Sequence, residues 1–340
     1  MGALHGIRFA LLVSTVAVVE ARAMGAGQSI PEGARPAVPV QTASIGVSVA
    51  TVWAEPYRLR AVDAPSASVP VDLRRWLGGM TVSDQRWLVG RVHTQALYGS
   101  PVKILARNGA WTRVAVEGQA TPLNPLGYPG WVPTRQLARS PLFVKAAGTH
   151  PTAVVTRRSA WLRDPASLAP VLEVSFATRL VVVGTRGGIA MVATPAGGKL
   201  AIAGGDVAVY PSVRAIPRPT GAAIVSTATT FLGLPYLWGG TSGFGFDCSG
   251  FTYSVYRRYG IDMPRDADRQ ALHGSPVARA ALRPGDLVFF TGAGGTRHIE
   301  HVGLYVGAGK MIHAPDVGQA IGIISVGSFG SRYAGARRYL

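Results

Sequence analysis

For most of this chain the apolar positions fall in short runs broken by turn residues, and a helical spacing appears only in the last third. Across residues 44–145 the runs include Trp87-Leu88-Val89, Val102-Lys103-Ile104-Leu105 and Trp111-Thr112-Arg113-Val114-Ala115-Val116. Runs of that length bounded by Gly, Pro and Asn predict a small all-β unit rather than packed helices. A second set occupies 146–210, with Ala153–Val155, Val171–Val174, Leu180–Val183, Ala190–Val192 and Val207–Tyr210. Residues 211–219 hold three prolines and read as a linker. Residues 220–340 differ in kind. Ala222–Leu232 is helix-like, and Phe251, Val255 and Tyr259 share one face of a helix that Asp247 is placed to cap and Gly260 to end. Strands are expected over Asp286–Thr291, His301–Val306 and Lys310–Ala314. A helix packed on an antiparallel sheet makes the class α+β.

The N-terminus has its own pattern. His5 and Arg8 precede an apolar run from Phe9 to Val19, and Ala21-Arg22-Ala23 offers a small-x-small cleavage site. Residues 1–23 therefore read as an export signal, too short to span a bilayer comfortably, and 24–43 as a Gly/Pro/Ala-rich linker. The expected location is outside the cell or in its envelope, without stable membrane insertion.

Charge changes the picture in one respect. Thirty-four Lys and Arg against 17 Asp and Glu leave +17, a balance that favours polyanionic surroundings. The basic residues are scattered in pairs such as Arg74-Arg75 and Arg257-Arg258. No basic helix or aromatic-interleaved motif points to nucleic acid. An anionic cell-wall polymer is the better candidate partner.

The chain has one cysteine, Cys248, in Phe246-Asp247-Cys248-Ser249-Gly250-Phe251. It cannot form an internal disulfide and is a poor start for a metal site. Free cysteines are often simply buried in cores, but this one begins a helix, where amide dipoles are expected to lower a thiol pKa. His298, His301 and His313 follow downstream, the shape of a cysteine nucleophile with a histidine base. His301 heads an alternating strand that sets His301, Gly303 and Tyr305 on one face, the glycine leaving room beside the histidine. A three-residue loop at Gly307-Ala308-Gly309, which the glycines favour, would put His313 on the same face, as orienter of the imidazole. A two-residue loop would send it to the other side. His298 lies in a glycine-rich stretch and is the runner-up base. A zinc reading of His298, His301 and His313 fits poorly, since His-x-x-His on a strand points to opposite faces. His5, His93, His150 and His273 have no such company. No cofactor is expected.

At this point the residues resemble a family. Residues 231–240 (Phe-Leu-Gly-Leu-Pro-Tyr-Leu-Trp-Gly-Gly), Asp247-Cys248-Ser249-Gly250-Phe251, Pro264-Arg265-Asp266 with Gln270, and Leu282-Arg283-Pro284-Gly285-Asp286-Leu287 come in order. His301-Val302-Gly303-Leu304-Tyr305-Val306-Gly307 and Met311-Ile312-His313-Ala314-Pro315 follow. Together they resemble the NlpC/P60 cysteine peptidases, which hydrolyse bacterial cell-wall peptides on a papain-like fold. Trp111-x-x-Val114 with Gly130-Trp131-Val132-Pro133 resembles a bacterial SH3 (SH3b) barrel. The second β segment looks like a degenerate repeat, with Gly188-Ile189-Ala190-Met191-Val192 in place of the first Trp element and no Gly-Trp.

The resemblance implies Cys248 as nucleophile, His301 as base and His313 as orienting residue. Tyr236 would line the site near the scissile carbonyl, and the Cys248 N–H would donate to the oxyanion. The arrangement with two SH3b-like units resembles the γ-D-glutamyl-L-diamino-acid endopeptidases, which cut L-Ala-γ-D-Glu-diamino-acid peptides after D-Glu. Asp266 would meet the free ammonium of such a substrate. Asp247, Ser249, Arg265, Tyr98 and Tyr128 complete the expected substrate-binding set, the first β unit walling off that end of the cleft. Two positions depart from the pattern: Ser100 stands where an acidic residue commonly follows Tyr-Gly, and Ala267 where a serine is often found. Two other readings remain open, an endopeptidase on intact peptidoglycan with wall-binding β units and a wall-binding protein without catalysis.

Overall fold

The computed structural model describes residues 41–293 and 297–340, and every statement below concerns these. The export signal expected over 1–23, with 24–40 of the linker, lies outside them. The first set of alternating runs forms β1 (Thr42–Ile45), β2 (Val49–Trp53), β3 (Val92–Leu97), β4 (Pro101–Asn108), β5 (Trp111–Val116), β6 (Tyr128–Pro133) and β7 (Leu137–Ala138). They bond antiparallel in the order β3-β2-β6-β5-β4-β1-β7. Ile45, Val52, Val102, Val114, Val116 and Val132 fill the core on one face. The second set forms β8 (Thr152–Val155), β9 (Ser159–Arg163), β10 (Pro170–Ser175), β11 (Arg179–Arg186), β12 (Ile189–Ala193), β13 (Lys199–Ala203) and β14 (Val207–Tyr210). Its order, β10-β9-β13-β12-β11-β8-β14, repeats that of the first unit.

Two expectations change here. Neither sheet closes into a barrel: β7 is two residues long and pairs only with β1, too short to bridge to β3. Trp87-Leu88-Val89 is not a strand. The chain between β2 and β3 is an insertion holding helices Leu73–Gly79 and Val82–Trp87, and Trp87 ends the second. Their caps are local. Asp72 accepts the Arg75 N–H at 2.9 Å. Thr81 and Asp84 form a reciprocal capping box at 3.1 and 3.0 Å. Trp76 is fully buried from this insertion and donates its indole N–H to Asp63 at 2.9 Å. Helices this short carry too few apolar positions to show a period.

The C-terminal third opens with helix Gly221–Thr229 and the hairpin β15 (Thr241–Ser242) and β16 (Gly245–Phe246), followed by helix Cys248–Arg257. Then come β17 (Ser275–Pro276), β18 (Leu287–Thr291), β19 (Ile299–Gly307), β20 (Lys310–His313), β21 (Gly322–Ser325) and β22 (Tyr333–Arg338), ordered β17-β22-β18-β19-β20-β21. The helix packs on this antiparallel sheet through Phe251, Val255 and Tyr256 against Phe289, Val302 and Leu304. Gly250 is required in it: a Cβ there would run into the Gly240 carbonyl oxygen.

Both β units dock on this third. Trp238 donates to the Val92 carbonyl at 2.9 Å, and Gln95 takes bonds from the Thr241 N–H and the Ser242 hydroxyl. From the second unit, Ser175 Oγ accepts the Gly243 N–H at 2.8 Å, and Phe176 meets Phe231 edge-on at 4.9 Å. Phe231 also packs on Phe246 and Phe251, so one ring joins the second unit to the thiol-bearing helix. Phe231→Ala is expected to cost about 3–5 kcal/mol, measured by denaturant unfolding. A loss below about 1 kcal/mol would show that the ring does not join these parts.

Candidate active site

Cys248 is the first residue of its helix because Asp247 ends the preceding extended segment and caps it, its carboxylate accepting the Gly250 N–H at 2.6 Å. Arg265 holds that carboxylate in a two-pronged grip, at 3.1 and 2.6 Å, and also reaches Ser249 Oγ and Thr94 Oγ1 at 2.9 Å each. Only 1% of Arg265 is exposed. All three of its nitrogens are thus spent inside the protein, which corrects its expected place among the substrate-binding residues. It positions the thiol helix instead.

The histidine pair meets by a route the loop argument did not contain. The turn has only two residues, Ala308 and Gly309, both with positive φ, yet His313 keeps the face of His301. A bulge at Val306 adds the missing residue, shifting the register from Gly307↔Lys310 to Tyr305↔Met311. His301 Nε2 lies 2.8 Å from His313 Nδ1. The space beside His301 at Gly303 is taken by the Met311 side chain. The Phe329 ring stacks on His301, 5.4 Å between centroids and 12° from parallel, and Phe290 backs Phe329 at 4.1 Å. The thiol lies against the strand at this point, with Sγ 4.0 Å from the Glu300 carbonyl oxygen, next to His301 in the chain.

A cleft of about 840 Å³ collects these groups, with Cys248, His301 and His313 at its floor and Tyr236 beside them. Its end against the first β unit carries Asp266, whose carboxylate accepts the Tyr128 hydroxyl at 3.2 Å. His93 lies next to Tyr128 and has Nδ1 3.0 Å from the Pro129 carbonyl oxygen. That oxygen can only accept, so Nδ1 carries the proton. His93 was dismissed on sequence, since nothing in a β unit so far upstream marks a cleft residue. Phe329 carries no signal either, since it sits in the short 3-10 segment Val326–Arg332, which shows no apolar period. Exposed His298 reaches the rim. Tyr98 does not reach the cleft at all: it is buried in the core of the second unit and lines a different cavity, because the strand before it turns away at Gly99. Asp247 and Ser249 touch the cleft, but their oxygens face Arg265.

The cleft is acidic although the chain is basic, with Asp266, Asp268, Glu300 and Asp316 facing Arg332. Burial dominates the titration of its floor. It pushes the Cys248 thiol up to about 12, assisted by the Asp247 charge, against the lowering effect of the Val302 and Ser249 N–H groups. The expected depression by the helix terminus is therefore outweighed. Burial likewise pushes His301 down to about 3, with His313 and Arg332 adding to it, and His313 down to about 4. Burial thus favours the neutral thiol and the neutral imidazoles at this floor. Burial also raises Asp266, opposed by Arg265.

Residues 233–338 match the model of the NlpC/P60 family, and 155–210 match that of the YKFC SH3b2 domain. A gamma-D-glutamyl-L-lysine dipeptidyl-peptidase of Bacillus cereus ATCC 10987 is 42% identical over 303 residues, 88% of this chain and 91% of that protein. The chain belongs to the NlpC/P60 family. A protein of the same name from Bacillus subtilis 168 is 37% identical, over 82% of this chain and 92% of that one. The crystal structure of an NlpC/P60 family protein from Bacillus cereus ATCC 10987 superposes with a TM-score of 0.85 at 42% identity, covering 88% of this chain and all of that one. This NlpC/P60 protein is thus a cysteine peptidase with SH3b-like units of α+β class. The second β segment, the fainter of the two in sequence, is the one an SH3b model matches. Its strand ladder persists without the Gly-Trp signature.

The two buried imidazoles set an acid sensitivity. Well above pH 6.5 neither the folded nor the unfolded chain protonates them, so they leave stability unchanged. As pH falls below 6.5 the unfolded chain takes up protons that the fold refuses until about 4 at His313 and about 3 at His301. Stability should fall by up to about 1.4 kcal/mol per pH unit for each histidine. Denaturation midpoints between pH 7 and 5 should depend less steeply on pH in His313→Gln than in the unaltered chain. Equal slopes would refute this origin.

Proposed function

We propose that this peptidase hydrolyses the γ-D-glutamyl–L-diamino-acid bond of cell-wall peptides that carry a free N-terminal L-alanine, the diamino acid being lysine or diaminopimelate. The observation that carries the reading is Asp266. Its carboxylate sits in a cleft end closed by Tyr128 and has no salt-bridge partner among the described residues. A half-buried carboxylate of that kind suits a substrate ammonium, which costs too much to bury unpaired. The wall formed by the first β unit leaves room for a short N-terminal stretch beyond the scissile bond and favours free peptides over intact peptidoglycan. The names of the two Bacillus relatives agree with a bond to lysine.

The chemistry follows from the hydrogen bonds. His301 Nε2 is hydrogen-bonded to His313 Nδ1, and in this reading Nε2 carries the proton of the neutral ring, which leaves the His301 Nδ1 lone pair as the base. As substrate binds, that nitrogen takes the Cys248 proton and the sulfur attacks the γ-carbonyl carbon. The Cys248 N–H, at the first helical position and without an intrahelical acceptor, meets the oxyanion. His301 then gives its proton to the departing amine, and water hydrolyses the thioester. Phe329 and His313 keep the imidazole in one plane throughout. The protein is exported through its N-terminal signal, and its positive surface adsorbs to anionic wall polymers, a contact that salt weakens.

Cys248→Ala should abolish cleavage of L-Ala-γ-D-Glu-L-Lys, and persistent cleavage would remove the nucleophile assignment. Asp266→Asn should raise KM for that tripeptide roughly 10- to 100-fold, the value of a lost charged hydrogen bond, with little effect on its N-acetylated form. If the free and acetylated peptides are cut at equal rates, the ammonium reading fails. Protein recovered from culture medium should begin just after Ala23, and an intact N-terminus there would refute signal cleavage.

A further inference from the structure

The far end of the Cys248 helix borders a second cavity, of about 280 Å³, where both β units and the catalytic third meet. Arg257 lies at the opposite end of this ten-residue helix from Cys248, roughly 13 Å along the helix axis. Two guanidiniums line this space. Arg257 is 9% exposed, and its side chain has neither a hydrogen-bond nor an ion-pair partner among the described residues. Arg179, on β11, donates one NH2 to the Arg257 carbonyl at 3.1 Å, while its Nε–H is buried without a partner.

The acidic groups facing the cavity do not neutralise them. Glu117 is drawn to Lys103 at 3.3 Å. Asp262 stands 3.8 Å from Arg179 with 71% of its side chain in solvent. Burial and the adjacent Arg257 charge together push Arg179 down to about 10. Two adjacent cations, one buried and one largely so, with the Arg257 guanidinium unpaired and the Arg179 Nε–H unused, are costly unless an anion joins them.

We propose that this junction cavity binds a phosphate group, held by Arg179 and Arg257 with Ser100 at its wall. A guanidinium's planar fork matches phosphate oxygens two at a time, and two such forks match a dianion better than a carboxylate. A water's share of liquid volume is about 30 Å³, so the cavity takes the group with several waters. The phosphate comes from solution or from a phosphate-bearing wall polymer, since both present the same oxygens.

Thermal unfolding of the full chain, with sodium chloride exchanged for inorganic phosphate at constant ionic strength, tests this. Phosphate at a hundredfold excess over Kd should raise Tm by about 5 °C, equally in Cys248→Ala, which separates the result from the fate of the proposed peptidase chemistry. Arg257→Gln should lose the rise. Should that variant not fold, Ser100→Glu supplies a carboxylate in the cavity, and it should unfold at higher temperature in chloride and respond less to phosphate. No rise above chloride, or the same rise in Arg257→Gln or in Ser100→Glu, overturns the proposal. Calorimetric titration with inorganic phosphate and with a glycerol phosphate polymer then separates the two sources, and heat from either that vanishes in Arg257→Gln supports the site.

Discussion

The Arg265 guanidinium is the interaction on which the site depends. It is buried, and a buried ion pair is tolerated only when every donor and acceptor is met. Here Asp247, Ser249 and Thr94 take all three nitrogens, and the Arg265 N–H goes to the Ala120 carbonyl at 3.1 Å. Three parts of the chain are tied at this one group: the cap of the thiol helix, the turn before Asp266 and the edge of the first β unit. The cap fixes where Cys248 begins, and the β unit fixes where the cleft ends. The Cys248 sulfur and the Asp266 end of the cleft are thereby set relative to each other by one side chain.

The second constraint is dielectric. Packing Cys248 against the strand that bears His301 leaves both with little water around them, so neither charge is favoured before substrate arrives. The histidine pair and the Phe329 ring compensate by geometry, since an imidazole held in one plane and one tautomer needs no reorganisation when the proton moves. Around this neutral floor the cleft is acidic while the chain carries +17. The two signs are thus separated in space, acidic groups lining the cleft and the excess of basic residues lying elsewhere on the chain.

Much of the site was legible in sequence because its elements are local. Asp247 before Cys248 and the 3.6-residue spacing of Phe251 and Val255 suffice to place a thiol at a helix N-terminus. Alternation along β19 suffices to set the face of His301. His313 was legible only conditionally, because a bulge changes register without changing composition, and Val306 carries no mark of it. Arg265 and Asp266 are neighbours with opposite fates, one turned inward to the cap and one outward to the cleft. No pattern along the chain distinguishes them. Tyr98 and Tyr128 show the same limit, both aromatic residues of the first β unit and only one at the cleft.

The amino-acid sequence by itself determined the class of elements, the order of the β units and the catalytic third, and the identity of the nucleophile's helix. These rest on period, caps and turn residues within about ten positions of one another. Tertiary structure alone decided what meets across long separations: Thr94 with Arg265, Tyr128 with Asp266, Phe329 with His301, and Arg179 with Arg257. Those contacts are chosen by how whole units dock, through Gln95, Trp238 and Phe231, and docking depends on the summed shape and polarity of surfaces rather than on any local motif. The titration of the thiol belongs to the same category. A helix terminus written in the sequence argues for a lower pKa, and burial created only by folding reverses it.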